Sequence, residues 1–210
     1  MARLVDVLLR HPRLYRVWAR GVDGQKARLI ENVLPDLTGA RTIDVGCGVG
    51  NNCHLFPASG YLGLDINEAY VRVARQSHPD REFIAADATT QFPIRTFDLV
   101  VINSLLHHLD ESQVLAVLGR ATRSLSTRGH VVVLEPEIPP AGALLPRVLM
   151  RLDRGAHFRS AEHWRVLFRA AGLRVGREQK AILTVCGVTG WYVLATDLLM
   201  SDAPAMPVEV

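Results

Sequence analysis

Apolar residues recur along the chain in two alternating regimes. Short runs rich in β-branched side chains, near residues 41–45, 61–64, 82–86, 97–102 and 131–134, read as buried parallel strands. Between them, apolar positions spaced three and four apart read as helices, several of which carry their own boundary signals. Residues 26–34 make one helix, ended by Pro35, and residues 67–77 make the next, with Asn67 as cap and Pro79 beyond it. Asp110, followed three residues later by Gln113, opens a helix over 111–125 as a capping box, and Gly129 closes that connection. Ser160 caps a further helix that Gly172 stops. Strands around 173–185 and 191–195 complete the series. The alternation predicts an α/β fold, a doubly wound and mostly parallel sheet with helices on both faces.

Two stretches depart from that rhythm. Near the N-terminus Leu4, Val5, Leu8, Leu9, Leu14, Val17 and Trp18 alternate with Arg3, Arg10, Arg13, Arg16 and Arg20, broken near Pro12. Residues 1–25 therefore read as a basic amphipathic segment: a packed surface helix, a lid over a cleft, or a foot on an anionic membrane surface. Residues 136–160 carry Pro136, Pro139, Pro140 and Pro146, yet also Leu144, Leu145, Val148, Leu149, Met150 and Leu152 interleaved with Arg147, Arg151 and Arg154. This is no polar linker. Residues 26–200 read as a single domain with this stretch inserted, and 201–210 as a frayed tail.

Composition narrows the class. A chain of 210 residues, 49% hydrophobic, can bury one sizeable core. The formal net charge of +3 is too mild to argue for a nucleic-acid partner. Cys47, Cys53 and Cys186 are odd in number and form no C-x-x-C pair, which suits reduced thiols in a cytoplasmic protein. The N-terminal apolar run is interrupted by Asp6, unlike a signal peptide, and no apolar stretch is long enough to span a bilayer.

Candidate chemistry gathers at the strand ends. The stretch RTIDVGCGVGN places Asp44 before Gly46, Gly48 and Gly50, a strand running into a turn that lets a ligand approach the backbone. The spacing is G-x-G-x-G, not the G-x-G-x-x-G of the dinucleotide fingerprint. Asp65 ends the second strand, where a carboxylate can accept both hydroxyls of a ribose; Asp87 ends the third and Asn103 the fourth. Each alone is an ordinary loop residue. In series they mark the carboxyl edge of a ligand-binding sheet, and a short helix over 53–56 would turn its N-terminus toward the ligand.

The series DVGCGVG, GLD, AAD and FDLVVIN resembles the class I S-adenosylmethionine-dependent methyltransferases, and SLLHHL resembles their type 11 group, over about residues 26–195. The resemblance implies a Rossmann-like sheet with an antiparallel last strand and S-adenosyl-L-methionine as cofactor. It assigns Asp65 to the ribose, Ile66 to the adenine face, and Asp87 with Ala88 to the adenine edge. Gly46, Cys47, Gly48 and Gly50 would line the methionine end, with Asp44 and Asn103 supporting it, and the 136–160 insertion would form part of the acceptor pocket.

Asn103-Ser104-Leu105-Leu106 lacks the Pro-Pro-aromatic signature of DNA-adenine and protein-amide enzymes. No Pro-Cys pair supplies a cytosine-type nucleophile, and no second acid stands beside Asn103 for a catechol-type metal. What remains is metal-independent transfer to a small, amphiphilic or lipid-like acceptor, O-methylation ahead of C- or N-methylation, with no obligatory protein partner indicated. His107, His108 and Glu135 are the candidates for the base, each with an ordinary structural hydrogen bond as the competing account. A cofactor-binding protein without turnover, or a different nucleotide-dependent enzyme, are the other two readings.

Overall fold

The computed structural model describes residues 24–34, 38–152, 156–185 and 188–200. Residues 1–23 of the expected N-terminal segment over 1–25, the Pro35 stop, Cys186 and the tail over 201–210 lie outside them, and the last two residues of that segment belong to the first helix. Residues 24–33 form helix α1. There follow β1 (Thr42–Val45), β2 (Tyr61–Asp65), α2 (Glu68–Ser77), β3 (Glu82–Ala85), β4 (Phe97–Asn103), α3 (Glu111–Ser124) and β5 (Leu125–Pro136). The chain continues through α4 (Leu144–Leu152), α5 (Ala161–Ala170), β6 (Leu173–Val185) and β7 (Val188–Met200). One sheet of order β3-β2-β1-β4-β5-β7-β6 joins all seven strands, parallel from β3 to β5, with β7 antiparallel to both neighbours. This is the expected Rossmann-like arrangement.

Strand alternation sorts the core into two layers. Ile43, Val45, Val100, Ile102, Val131 and Val133 face α3 and α5, where Val114, Leu118, Trp164 and Phe168 are buried. Leu99, Val101, Val132 and Leu134 face the other way, onto Leu29, Ile30 and Val33 of α1 and Val71 and Ala74 of α2. The caps are those the sequence signals. Asn67 accepts from the N–H groups of Ala69 and Tyr70, Asp110 and Gln113 close a reciprocal capping box, and Ser160 accepts from His163 N. No helix among the described residues is long and apolar enough to cross a membrane.

Three expectations are corrected. The helix over 53–56 is only a 3-10 turn, Cys53–Leu55, after which Phe56 is extended and buried. Pro57 disfavours the helical conformation in the residue before it, and the chain turns down into the core instead. Gly129 does not end a connection but lies within β5, which starts directly after α3 and slips register against β4 between Phe97 and Leu99. The last strand is thirteen residues long, not five, because it zips along an equally long β6.

Gly63, in the middle of β2, bears on the ligand side of the sheet. A Cβ there would overlap the Phe83 ring and come within 2.9 Å of Cys47 Sγ. Gly63→Ala is expected to lower unfolding stability by about 1 to 3 kcal/mol through overpacking, read from the denaturant midpoint. A midpoint equal to that of the unsubstituted protein would show that Phe83 can retreat without strain.

Candidate active site

Strand order reverses between β1 and β4, where Val45 lies opposite Ile102. The reversal opens a crevice at the carboxyl ends of those strands, the place where open α/β sheets bind ligands. Gly46 and Cys47 both donate their N–H to Leu64 O, at 2.7 and 3.1 Å, so the glycine loop is pulled across the tip of β2. Gly46 has φ 79°, and a Cβ on it would meet Leu105 at 3.2–3.3 Å. Loop and β4 exit therefore touch at a point that only glycine fits.

Asp65 stands beside that loop, half-buried. It accepts from Gly48 N and Asn67 N, both at 2.8 Å, tying the loop to the start of α2. Burial pushes its carboxyl above the ordinary carboxylate range, and these two bonds offset only part of the push. Ile66, next to it, is 71% exposed. Asp44 is buried on the α1 and α2 face and accepts the Tyr61 hydroxyl at 2.9 Å, while burial and the Asp44 charge keep Tyr61 protonated. Asp87 accepts from Thr89 N and Oγ1, which hold its carboxyl below the usual range, and Ala88 is buried. Cys47 and Cys53 are free thiols; burial raises Cys47 well above its ordinary pKa and Cys53 to about 11, so neither is a nucleophile at neutral pH.

The chain leaving β4 is held on both sides. Glu135, 1% exposed at the end of β5, accepts from the N–H groups of Leu105 (2.8 Å), Leu106 (2.7 Å) and His107 (3.3 Å), and from His107 Nδ1 at 2.7 Å. From the other side the Arg159 guanidinium donates to Leu106 O and Leu109 O and lies over the Trp164 ring, while His157 N donates to His107 O. His107 is itself buried, its ring 4.1 Å from that of the exposed His108 and stacked on Phe158 at 5.3 Å. Of the three candidates for the base, His107 and Glu135 thus form one unit and His108 lies at its rim.

The Methyltransferase domain family matches residues 18–178 of the sequence. The chain belongs to that family. This methyltransferase is 27% identical over 194 residues to a demethylmenaquinone methyltransferase of Renibacterium salmoninarum, covering 89% of this chain and 81% of the relative. It is 36% identical over 99 residues to a trans-aconitate 2-methyltransferase of Methylobacterium radiotolerans, covering 45% of this chain and 37% of the relative. The methyltransferase spans half or less of the length of the trans-aconitate enzymes it matches. Its fold is that of a magnesium protoporphyrin IX methyltransferase from Synechocystis with bound S-adenosylhomocysteine (TM-score 0.68, 16% identity, 95% of this chain and 99% of that one). A mitomycin 7-O-methyltransferase superposes with TM-score 0.65 at 23% identity, over 84% of this chain and 53% of that one.

S-adenosylmethionine is the cofactor of this methyltransferase, and the crevice fits it. A carboxylate can accept about four hydrogen bonds; Asp65 has accepted two backbone donors, leaving lone pairs for a diol. Ile66 offers an uncovered apolar face beside it, and Asn52 Oδ1, just past the glycine loop, is enclosed with no donor among the described residues. The short 3-10 turn carries no helix dipole worth invoking, so backbone N–H groups and side chains must do that work. Tyr61, Arg159 and Lys26, whose Nζ donates to Ser104 Oγ at 2.8 Å, are additions that no motif predicted. Their partners lie far along the chain, 53 residues away for Arg159 and Leu106, so no local pattern marks them.

Proposed function

We propose that the methyltransferase transfers its methyl group to a hydroxyl of a small acceptor with an apolar or amphiphilic body, without a metal, and that His107 removes the proton. The observation that carries this reading is the His107–Glu135 pair at the exit of β4. With Nδ1–H given to Glu135, the neutral imidazole carries its basic lone pair on Nε2, and the buried carboxylate favours the imidazolium that forms. His108 borders the same place.

The bound cofactor supplies an activated methyl group on a sulfonium. The chain's own part is alignment and exclusion of water. Asp65 holds the ribose, Ile66 covers the adenine, and Asp87 with the backbone of Ala88 reads its edge. Gly46, Cys47, Gly48 and Gly50 line the amino acid end, Asp44 braces β2 through Tyr61, and Asn103 borders the crevice. Glu135 acts as a positioning residue, because its carboxylate is already engaged by three backbone N–H groups and the His107 ring.

The acceptor's apolar body is suited by α4, which leaves Leu144 75% and Val148 51% exposed, and by Phe158 against His107. Arg147 does not serve as an exposed cation for an anionic group, since it donates to Pro139 O and Pro140 O and staples the turn before α4. Turnover of a metabolite extract with a labelled methyl donor would identify the acceptor. On that acceptor His107→Ala is expected to lower kcat roughly a hundredfold while S-adenosylhomocysteine binds as before. Near-normal turnover would move the base elsewhere or point to an acceptor that arrives ionised.

A further inference from the structure

A groove apart from the crevice carries charge that the fold leaves unused. It lies between the chain linking β3 to β4 and the second half of α3, and its volume of about 450 Å³ is that of a small-molecule site. Strand register builds it. Phe97 at the start of β4 pairs with Leu125 at the start of β5, which brings Thr96 beside Ser124 and the last turn of α3. The seven residues of β4, a rise of about 20 Å, separate that end of the groove from the crevice past Asn103.

One wall is basic. Arg120 and Arg123 stand three apart on α3, neighbours on one helix face, and both line the groove. Neither meets a carboxylate among the described residues: Arg120 donates to Ala116 O at 3.2 Å and Thr90 O at 3.4 Å, and Arg123 has no bonded partner there. A basic side chain in a helix's last turn often serves its free carbonyls, but those of Gly119, Ala121 and Thr122 already accept from Thr122 Oγ1, Ser124 Oγ and Leu125 N. Arg123 is not needed as a cap. The third arginine, Arg95, is neutralised by Glu82 through bonds of 2.6 and 3.1 Å. The linker supplies an apolar wall of Phe92, Pro93 and the fully exposed Ile94.

Two uncompensated guanidiniums beside an apolar wall suit a dianion on an apolar body. A carboxylate brings one charge, whereas a phosphate monoester brings nearly two at neutral pH and three acceptor oxygens, enough for both forks. We infer that this groove binds a small phosphate monoester with an aromatic body, the phosphate held by Arg120 and Arg123 and the body laid on Phe92, Pro93 and Ile94. The site is independent of the cofactor crevice and of the role of His107.

Calorimetry at low salt with 1-naphthyl phosphate, inorganic phosphate and 1-naphthol tests it, with and without saturating S-adenosylhomocysteine. Burial of the rings should make the ester bind roughly tenfold or more tighter than inorganic phosphate, and the charge should place it as far above naphthol. Arg123→Gln is expected to weaken the ester roughly tenfold to a hundredfold, as suits loss of one charge-assisted contact, and Arg123→Lys to restore part of it. Ile94→Ser should narrow the gap between ester and inorganic phosphate. All three variants should keep the thermal midpoint and the affinity for S-adenosylhomocysteine. Failure of the unsubstituted protein to bind the ester, binding that S-adenosylhomocysteine abolishes, or an Arg123→Gln protein that binds as before each overturns the assignment. So does equal binding of the ester and either half-probe, since one wall of the groove would then contribute nothing.

Discussion

Replacing Glu135 with alanine is expected to destabilise the protein by about 3 to 5 kcal/mol, the cost of removing one side of a buried, fully bonded polar cluster. The carboxylate is 1% exposed and accepts three backbone N–H groups and the His107 ring, so its loss orphans donors that water reaches poorly. The measurement is a urea or guanidinium midpoint. A shift under about 0.5 kcal/mol, the ordinary effect of a surface change, would mean that this clamp is not what orders the exit of β4. Glu135→Gln separates order from chemistry. The amide oxygen can keep the Leu105 and Leu106 bonds, but its NH2 then faces His107 Nδ1 and forces the proton onto Nε2. Turnover should fall by roughly a hundredfold or more, since the wrong tautomer cannot act as base, with most of the stability retained.

Asp65→Ala is expected to cost about 2 to 4 kcal/mol of S-adenosylhomocysteine binding, the worth of two hydrogen bonds to a charged acceptor. Part of that loss will come through the loop, because the same carboxylate holds Gly48 N and Asn67 N. Calorimetry reads it directly, and an unchanged affinity in a folded variant would remove Asp65 from the site. The pH dependence has a definite sign. Burial raises the folded-state pKa of Asp65, so the ionised form proposed to receive the ribose hydroxyls is lost on acidification earlier than for an ordinary aspartate. Cofactor affinity should therefore decline as pH falls, beginning above the usual carboxylate range. Stability through this group runs the other way: an acid whose folded pKa is raised disfavours the folded state at higher pH, and protonation relieves that cost.

What was legible in the sequence is what is local. The caps at Asn67, Asp110 with Gln113, and Ser160 satisfy N–H groups two or three residues away, so composition and spacing suffice to find them. The alternation that divides the core between two helical layers is likewise written residue by residue in β1, β4 and β5. The glycine loop and the strand-end acids could be read because a parallel sheet delivers every strand's C-terminus to one edge. Register and reach belong to the tertiary structure. Gly129 reads locally as a break, yet it lies within β5, in the irregular stretch between the Leu125–Phe97 and His130–Leu99 pairs, and the length of the last hairpin follows from its partner. His107 and Glu135 are 28 residues apart, and they meet because Asn103 of β4 lies opposite Leu134 of β5. Arg147 looks like a cation for a ligand until its guanidinium is seen on two proline carbonyls, and Lys26 looks like an ordinary helix surface residue until α1 is placed over the exit of β4. A side chain's role depends on the groups it reaches, and across gaps of 28 or 78 residues sheet register and helix docking decide which groups those are.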